Sequence, residues 1–473
     1  MSKTKKKAPV EHPDVAERVA RGRAARAEVP RSAHGSWSPA ADRSSPVELL
    51  EQQAATRVPE LVPIRYGRML VSAFTFYRGA AYLMASDLAG GPRTSLHTQL
   101  CGDAHLSNFG AYAAPDRTLV FDVNDFDETL PGPFEWDVKR LVASFAVAGR
   151  DRGFNAAQRA EINATAARAY REAMHGYAAI TDLDLWYTRI SVDELVEQFA
   201  DAASAKQMKR VEKNIAKARS KDSLRAFGKL TEVVDGKLRI RSDPPVVVAT
   251  RDLFKPDEYA ALDEAIHMTF RAYRGSLADD RQRLLERYRY VDSARKVVGV
   301  GSVGTRAWIA LLIGRRGPDD PLFLQLKEAE ASVLEPFLGK SEFENHGQRV
   351  VEGQRLTQAA NDVMLGWVRT DGPDGKQRDY YVRQLWDAKG SALVELMNVK
   401  ALAEYARICG QTLARAHARS GDAVPIASYL GRGDRFDRAM AEFAESYADQ
   451  NERDYAVMRE AVDAGTIVAR TGV

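Results

Sequence analysis

"QLCGDAHLSNFGAY" (residues 99–112) places Asp103 five positions before Asn108 in a short polar loop with apolar flanks. A second acidic run, "LVFDVNDFDETLPG" (119–132), follows closely and brings Asp122, Asp125 and Asp127 to the end of an apolar strand. Phosphoryl transfer asks for little covalent chemistry from a protein. It needs a carboxylate to take the proton of the attacking hydroxyl, and oxygen ligands to hold Mg²⁺ against the phosphates. A kinase catalytic loop supplies the base and one metal ligand from Asp and Asn at this spacing. Asp103 is therefore the expected base and Asn108 an expected Mg²⁺ ligand. The spacing alone also fits an ordinary turn, where Asp and Asn are common. The acidic run adds weight, because carboxylates crowded beside Asp103 repel one another unless a cation relieves them. Magnesium usually takes one or two protein carboxylates, so Asp125 is the expected ligand, with Asp127 as an auxiliary.

About two hundred residues later, "KVVGVGSVGTR" sets Gly299, Gly301 and Gly304 in G-x-G-x-x-G spacing. Missing side chains there let backbone N–H groups approach phosphate. A dinucleotide site is the rival, and Asp319 and Asp320 lie near the distance of a ribose-binding carboxylate. They sit in the turn "RRGPDDP", however, whereas that carboxylate should end a strand. The kinase pattern expects the glycines, then a strand carrying a phosphate-binding lysine, then a helix whose glutamate pairs with it. "PLFLQLKEA" offers Lys327, and "RVVEGQRLTQA" offers Glu352, with Glu344 and Glu330 as further candidates.

"GDAHLSN" followed by "NDFDE" resembles the G-D-x-H-x-x-N and I-D-F-x-D signature of aminoglycoside and choline kinases, within the protein-kinase-like superfamily. Asp137 in "FEWDVKRLV" resembles the aspartate with which those enzymes brace the catalytic loop from a helix start. Cys101 stands where the kinase signature has His. From about residue 60 the chain also resembles the bacterial family catalogued as domain of unknown function 2252, in "LCGDAHLSNFG", "NDFDETLPGPFEWDVKRL", "VVGVGSVGTR" and "YADQNERDY". That family brings no established activity. The glycine lobe follows the catalytic loop here, the reverse of the usual kinase order. "CGQTLARAHARSGD" resembles the helix that leads into a catalytic loop, yet Ala427 holds the required Asn position after Gly421-Asp422. The resemblance implies an α+β, two-lobed protein-kinase-like fold, circularly permuted, with a large helical insertion. It implies ATP and Mg²⁺ as cofactors and an unidentified hydroxyl acceptor.

Composition bounds the rest. The 473 residues suggest two or three domains, and 45% hydrophobic with 28% charged residues is a soluble globular balance. Net charge is +3, so no global field announces a polyanion partner. Two cysteines, Cys101 and Cys409, suit a reducing, cytoplasmic setting, and no run is apolar enough to span a membrane. The start, "MSKTKKKAPVEHPD", has no apolar core behind its charge and is not read as a secretory signal.

The expected organisation is a flexible basic arm (1–45), a catalytic- and metal-loop part (46–153) and a mainly helical insertion (154–290) as the substrate region. A glycine-rich β region (291–399) and C-terminal helices (400–473) complete it. The basic stretch 205–229 lacks interleaved aromatics, which makes nucleic acid an unfavoured partner. Arg78 in "FTFYRGAA" is a candidate clamp for phosphate or carboxylate. His105 is read as orienting its loop through hydrogen bonds. Two other functions share the site: a nucleotide-binding regulatory module without catalysis, and a transferase that moves AMP.

Overall fold

The structure, a computed structural model, describes residues 12–472 apart from 201–207, 210, 211, 214, 217, 218, 220–222, 256–258, 298, 300, 302, 373 and 386–389. It is a mixed α+β molecule in which a helical body stands against a six-stranded antiparallel sheet. The strands in chain order begin with β1 (His97–Leu100), β2 (Phe109–Ala113), β3 (Leu119–Val123) and β4 (Leu130–Pro133). They continue with β5 (Thr231–Val234), β6 (Lys237–Ile240), β7 (Val247–Ala249), β8 (Arg289–Lys296) and β9 (Ala307–Ile313). The last are β10 (Pro321–Ala329), β11 (Gly366–Asp371), β12 (Gln377–Gln384) and β13 (Gly390–Ser391).

The helical body forms around the helix Glu135–Asp151. "EWDVKRLVASFAVAG" is buried at every position, and a helix wrapped on all sides has to be apolar, or internally paired, all round. The helices Ala73–Gly79, Ala156–Tyr177 and Arg435–Asp463 pack against it. The helix Val399–Ser420 lies along Ala156–Tyr177 so closely that a Cβ on Gly410 would meet the Ala166 carbonyl oxygen at 2.3 Å. Only glycine fits that crossing.

The large sheet has the order β11-β12-β10-β9-β8-β7. Its centre, β10, is buried on both faces, and its side chains alternate between two cores as a period of two requires. Leu322 and Leu324 join Tyr273 of the helix Tyr259–Arg274, whereas Phe323 joins Ala226 and Leu230 of the helix Ser223–Leu230. The glycine segment 297–306 connects β8 to β9, and the helix His346–Thr357 lies between β10 and β11 in the chain. The segment that carries Asp103 and the acidic run uses two small sheets instead, β1-β4 and β13-β2-β3.

Several expectations need correction. The arm 1–45 is no free arm over its described part: Val15–Glu28 is a capped helix docked on Ala423–Leu430, with Arg26 bonded to the Tyr429 carbonyl at 2.9 Å. Residues 154–290 are not one insertion. The helix Ala156–Tyr177 belongs to the main core, while β7 extends the large sheet. The stretch "KLRIRSDPPVVVATRDLF" folds back at Pro244-Pro245, where the Asp243 N–H donates to the Val247 carbonyl at 2.7 Å and the Val247 N–H to the Asp243 carbonyl at 2.9 Å. Its β6 pairs upstream with β5, across an Asp235-Gly236 turn that takes positive φ at both residues. "SYADQNERDYAVM" is a structural helix face, where buried Asn451 bonds the Ala73 carbonyl and Asp454 binds Arg43. The stretch 205–229 lies partly outside the described residues, and its last part forms the helix Ser223–Leu230. No helix among the described residues is long and apolar enough to cross a membrane.

One buried ion pair staples the strand that feeds the acidic run to the helix Val399–Ser420: Arg415 Nη2 meets Asp122 Oδ1 at 2.5 Å, with both side chains almost fully enclosed. Removing one member leaves an uncompensated interior charge. Asp122→Ala should cost about 3–5 kcal/mol of stability. Urea unfolding of the single and paired replacements is the check, and Asp122→Leu with Arg415→Met should cost less than the two singles summed.

Candidate active site

The segment after β1 is held by Asp137 in the first turn of the helix Glu135–Asp151. Its Oδ2 accepts from the Cys101 N–H at 2.6 Å and its Oδ1 from the Gly102 N–H at 3.1 Å. His417 Nε2 lies 3.2 Å from the same carboxylate. Gly102 has φ +81° and a Cβ there would fall 2.2 Å from the Glu128 carbonyl oxygen, so the two acidic turns touch through a glycine. Cys101 is enclosed, and burial pushes its thiol well up, which makes it inert.

Asp103 follows. Its Oδ1 accepts from Arg140 Nε at 2.9 Å and Nη2 at 2.7 Å, and its Oδ2 lies 3.7 Å from His105 Nε2. Burial raises the Asp103 carboxyl above its ordinary value, against the pull of Arg140. His105 accepts the Ser107 N–H through Nδ1 at 3.2 Å, and burial holds it neutral. Asn108 Nδ2 donates to the Asp103 carbonyl at 2.8 Å, which closes the loop on itself.

The second turn is tied to the first by the Asn124 N–H, which donates to the Asn108 carbonyl at 2.9 Å. Asp125 Oδ1 is buried and has no hydrogen-bond partner. Burial, then the neighbouring charge of Asp127, raises its pKa. Asp127 is engaged instead. Its Oδ2 pairs with Lys327 Nζ of β10 and its Oδ1 accepts from Tyr381 Oη of β12 at 2.7 Å. Burial alone would raise it, but the Lys327 ammonium holds it below the usual carboxylate range. Lys327 is correspondingly raised by Asp127, against its own burial.

These turns and the glycine segment face one cavity of about 610 Å³. Asp103, Asn108, Asp125 and Asp127 line it from the early part of the chain, and Gly299 and Gly301 from the late part. Gly304 packs against the Arg57 side chain, with a Cβ position 3.0 Å from Arg57 Cβ. Lys327 stands behind Asp127 and is not in the cavity lining. Glu352 does not meet Lys327; it pairs with Arg355 at 3.1 Å. On that helix the face turned to the acidic run carries Gly353, packed on Thr129, and Arg349 one turn earlier. Arg349 donates to the carbonyls of Asp127, Thr129 and Glu330 at 2.7, 2.7 and 2.8 Å. Glu352, about 100° round from Gly353, points elsewhere.

Sequence reasoning missed Arg140, Arg349 and Arg57. Arg140 was findable, because it lies three residues after Asp137 and therefore on nearly the same helix face. Arg57 had no signal, since the contact that places it comes from a segment some 250 residues away: Nη1 donates to the Val303 carbonyl at 2.5 Å. The Val58 N–H bonds the Gly304 carbonyl at 2.8 Å, and Val58, Leu61 and Ile64 pack on Val297 and Val303. The N-terminal helices thus pin the glycine segment from outside.

Among the described residues no group of three His, Cys, Asp or Glu side chains is arranged to hold a metal. A site completed by Asn108 and by ligand oxygens falls outside that description. The open oxygen of Asp125 suits a cation, and the engaged Asp127 does not.

The chain belongs to the bacterial family described as "Uncharacterized protein conserved in bacteria (DUF2252)". The match runs over residues 57–461. No curated protein and no solved structure matches the chain. The family segment begins at Arg57 and so takes in every residue that lines the cavity except Gln52, Gln53 and Thr56.

Glu128 also lines the cavity; its Oε2 accepts the Val333 N–H at 2.8 Å, and burial pushes its pKa up to about 7. A folded-state value above the unfolded one means that the native protein holds the extra proton. Its contribution to stability is complete below the unfolded pKa of about 4.3 and is lost as pH rises through about 7. Melting curves between pH 5 and 8 should show this slope, and Glu128→Gln should flatten it.

Proposed function

We propose that the protein is an ATP-dependent phosphotransferase of circularly permuted kinase-like fold, acting on an unidentified acceptor hydroxyl. The observation that carries this reading is the shared cavity. Asp103, Asn108 and Asp125 meet Gly299 and Gly301 there, although the two groups lie almost two hundred residues apart. The order of the sheet supports the fold. The glycine segment joins β8 to β9, Lys327 sits on the next strand, and a helix and two further strands follow. These are the parts, in sequence, of a kinase phosphate-binding lobe. The helix Val399–Ser420 packs on β1 from the far end of the chain, as a permuted leading helix should.

In this reading Asp103 takes the acceptor proton. Arg140 fixes Oδ1 and leaves Oδ2 outside that bond, and the raised pKa moves the carboxylate toward the range in which a base is effective. Asp125 and Asn108 would hold Mg²⁺, which supplies charge neutralisation to the phosphates. Gly299 and Gly301 offer close backbone approach, and Lys327 orders the metal loop through Asp127. Arrangement and electrostatics, rather than a covalent intermediate, provide the acceleration.

The engagement of Lys327 by Asp127 favours a second reading, in which the protein binds nucleotide and regulates without transferring anything. Labelled ATP separates the readings: γ-label transfer marks a phosphotransferase, α-label transfer an AMP transferase, and neither marks a regulator. For the phosphotransferase, Asp103→Asn should lower turnover by about 10²–10⁴ while nucleotide affinity stays within a few-fold. Asp125→Asn should abolish the Mg²⁺-dependent part of ATP binding in calorimetry. Unchanged Mg²⁺ dependence in that variant would remove the metal assignment.

A further inference from the structure

Several enclosed or half-enclosed arginines have their charge answered by a carboxylate. Arg140 has Asp103, Arg415 has Asp122, Arg43 has Asp87 and Asp454, and Arg171 has Asp437. Others, such as Arg349, spend their donors on several backbone carbonyls. Two arginines in the cavity wall do neither. Arg57 is only 7% exposed, and its guanidinium makes one hydrogen bond, to the Val303 carbonyl, with Nε left without a partner. Arg78 makes no side-chain hydrogen bond or ion pair to any described residue, and its Nε is buried and unpartnered. Desolvation lowers the pKa of both, with nearby acids offsetting it only in part. A guanidinium held from water without a partner is costly, and its five donors suit phosphate oxygens in a fork-to-fork contact.

We propose that Arg57 and Arg78 form an oxyanion site in the cavity that takes a phosphate chain. The two come from different N-terminal helical segments, and the glycine segment lies against both. Gly304 packs on the Arg57 side chain, and a Cβ on Gly301 would stand 3.3 Å from the Arg78 carbonyl oxygen. Arg78 lies within the electrostatic reach of Asp103 and Asp125, which places the site beside the expected chemistry. Lys327, the cation the sequence pointed to, is neutralised by Asp127 behind the wall. The grip on phosphate passes to the arginines. This deepens the phosphotransferase reading and rests on it only for the identity of the nucleotide.

The test is titration of the full-length protein with tripolyphosphate, which carries the phosphate chain without a nucleoside. Wild type should bind it with an affinity that falls as salt rises. Arg78→Gln should weaken binding about tenfold or more while the ligand-free melting temperature stays put, since no hydrogen bond is lost. Arg57→Lys, which keeps the charge and can still reach the Val303 carbonyl, should weaken it less. A wild type that does not bind, or variants that bind as wild type does, would overturn the site. Repeating the titration with a saturating non-hydrolysable ATP analogue and Mg²⁺ identifies the source of the phosphates. Lost heat assigns them to the nucleotide, and retained heat to a phosphorylated acceptor; either result keeps the site. Arginine-dependent binding without label transfer from ATP would sink the phosphotransferase reading alone. Label transfer with variants that bind tripolyphosphate like wild type would sink this proposal alone.

Discussion

The guanidinium of Arg349 is the point at which the two halves of the molecule are joined. Almost fully enclosed, it donates to two carbonyls of the acidic run and one at the end of β10. A buried cation is tolerable when polar partners meet its donors, and here backbone carbonyls meet those of both terminal nitrogens, Nη1 and Nη2. The Asp127–Lys327 pair crosses the same gap beside it. Together they fix the carboxylates of the acidic run against the sheet, so the cavity exists only when helix, strand and loop are all in place.

Around that joint the carboxylates divide into two kinds. Asp122, Asp127 and Asp137 are spent on structure: a staple to Arg415, an anchor for Lys327 and Tyr381, and a brace for the Cys101 and Gly102 amides. Asp103 keeps one oxygen outside its arginine bond, and Asp125 keeps one without any partner. Identical side chains a few residues apart therefore differ in what chemistry they are free to do. The difference is set by which cations the fold delivers to each.

Much of this was legible in the sequence because it is local. The D-x-x-x-x-N spacing, the acidic run and the Asp137 brace lie within 36 residues of one another, and the structure joins Asp103, Asn108, Asp125 and Asp137 in one network of turns. The strand β10 was expected from "PLFLQLKEA". What failed was non-local or needed a helix phase. Glu352 fits the sequence order of a lysine partner, but the packing of Gly353 on Thr129 turns it away. Residues 1–45 carry no sustained apolar period, yet the helix Val15–Glu28 docks through Arg26, which donates to the Tyr429 carbonyl, while Tyr429 Oη donates back to the Val29 carbonyl. Such polar docking leaves no hydrophobic stripe to read.

The separation of 222 residues between Arg349 and Asp127 also bears on how the chain is made. Bacterial ribosomes add about 5–20 residues per second, so roughly ten to forty seconds pass between synthesis of the acidic turns and of the arginine that caps them. During that interval the carboxylates of the nascent chain stand hydrated and mutually repelling. The geometry of the cavity is therefore a late event in biogenesis, completed only when the C-terminal half leaves the exit tunnel.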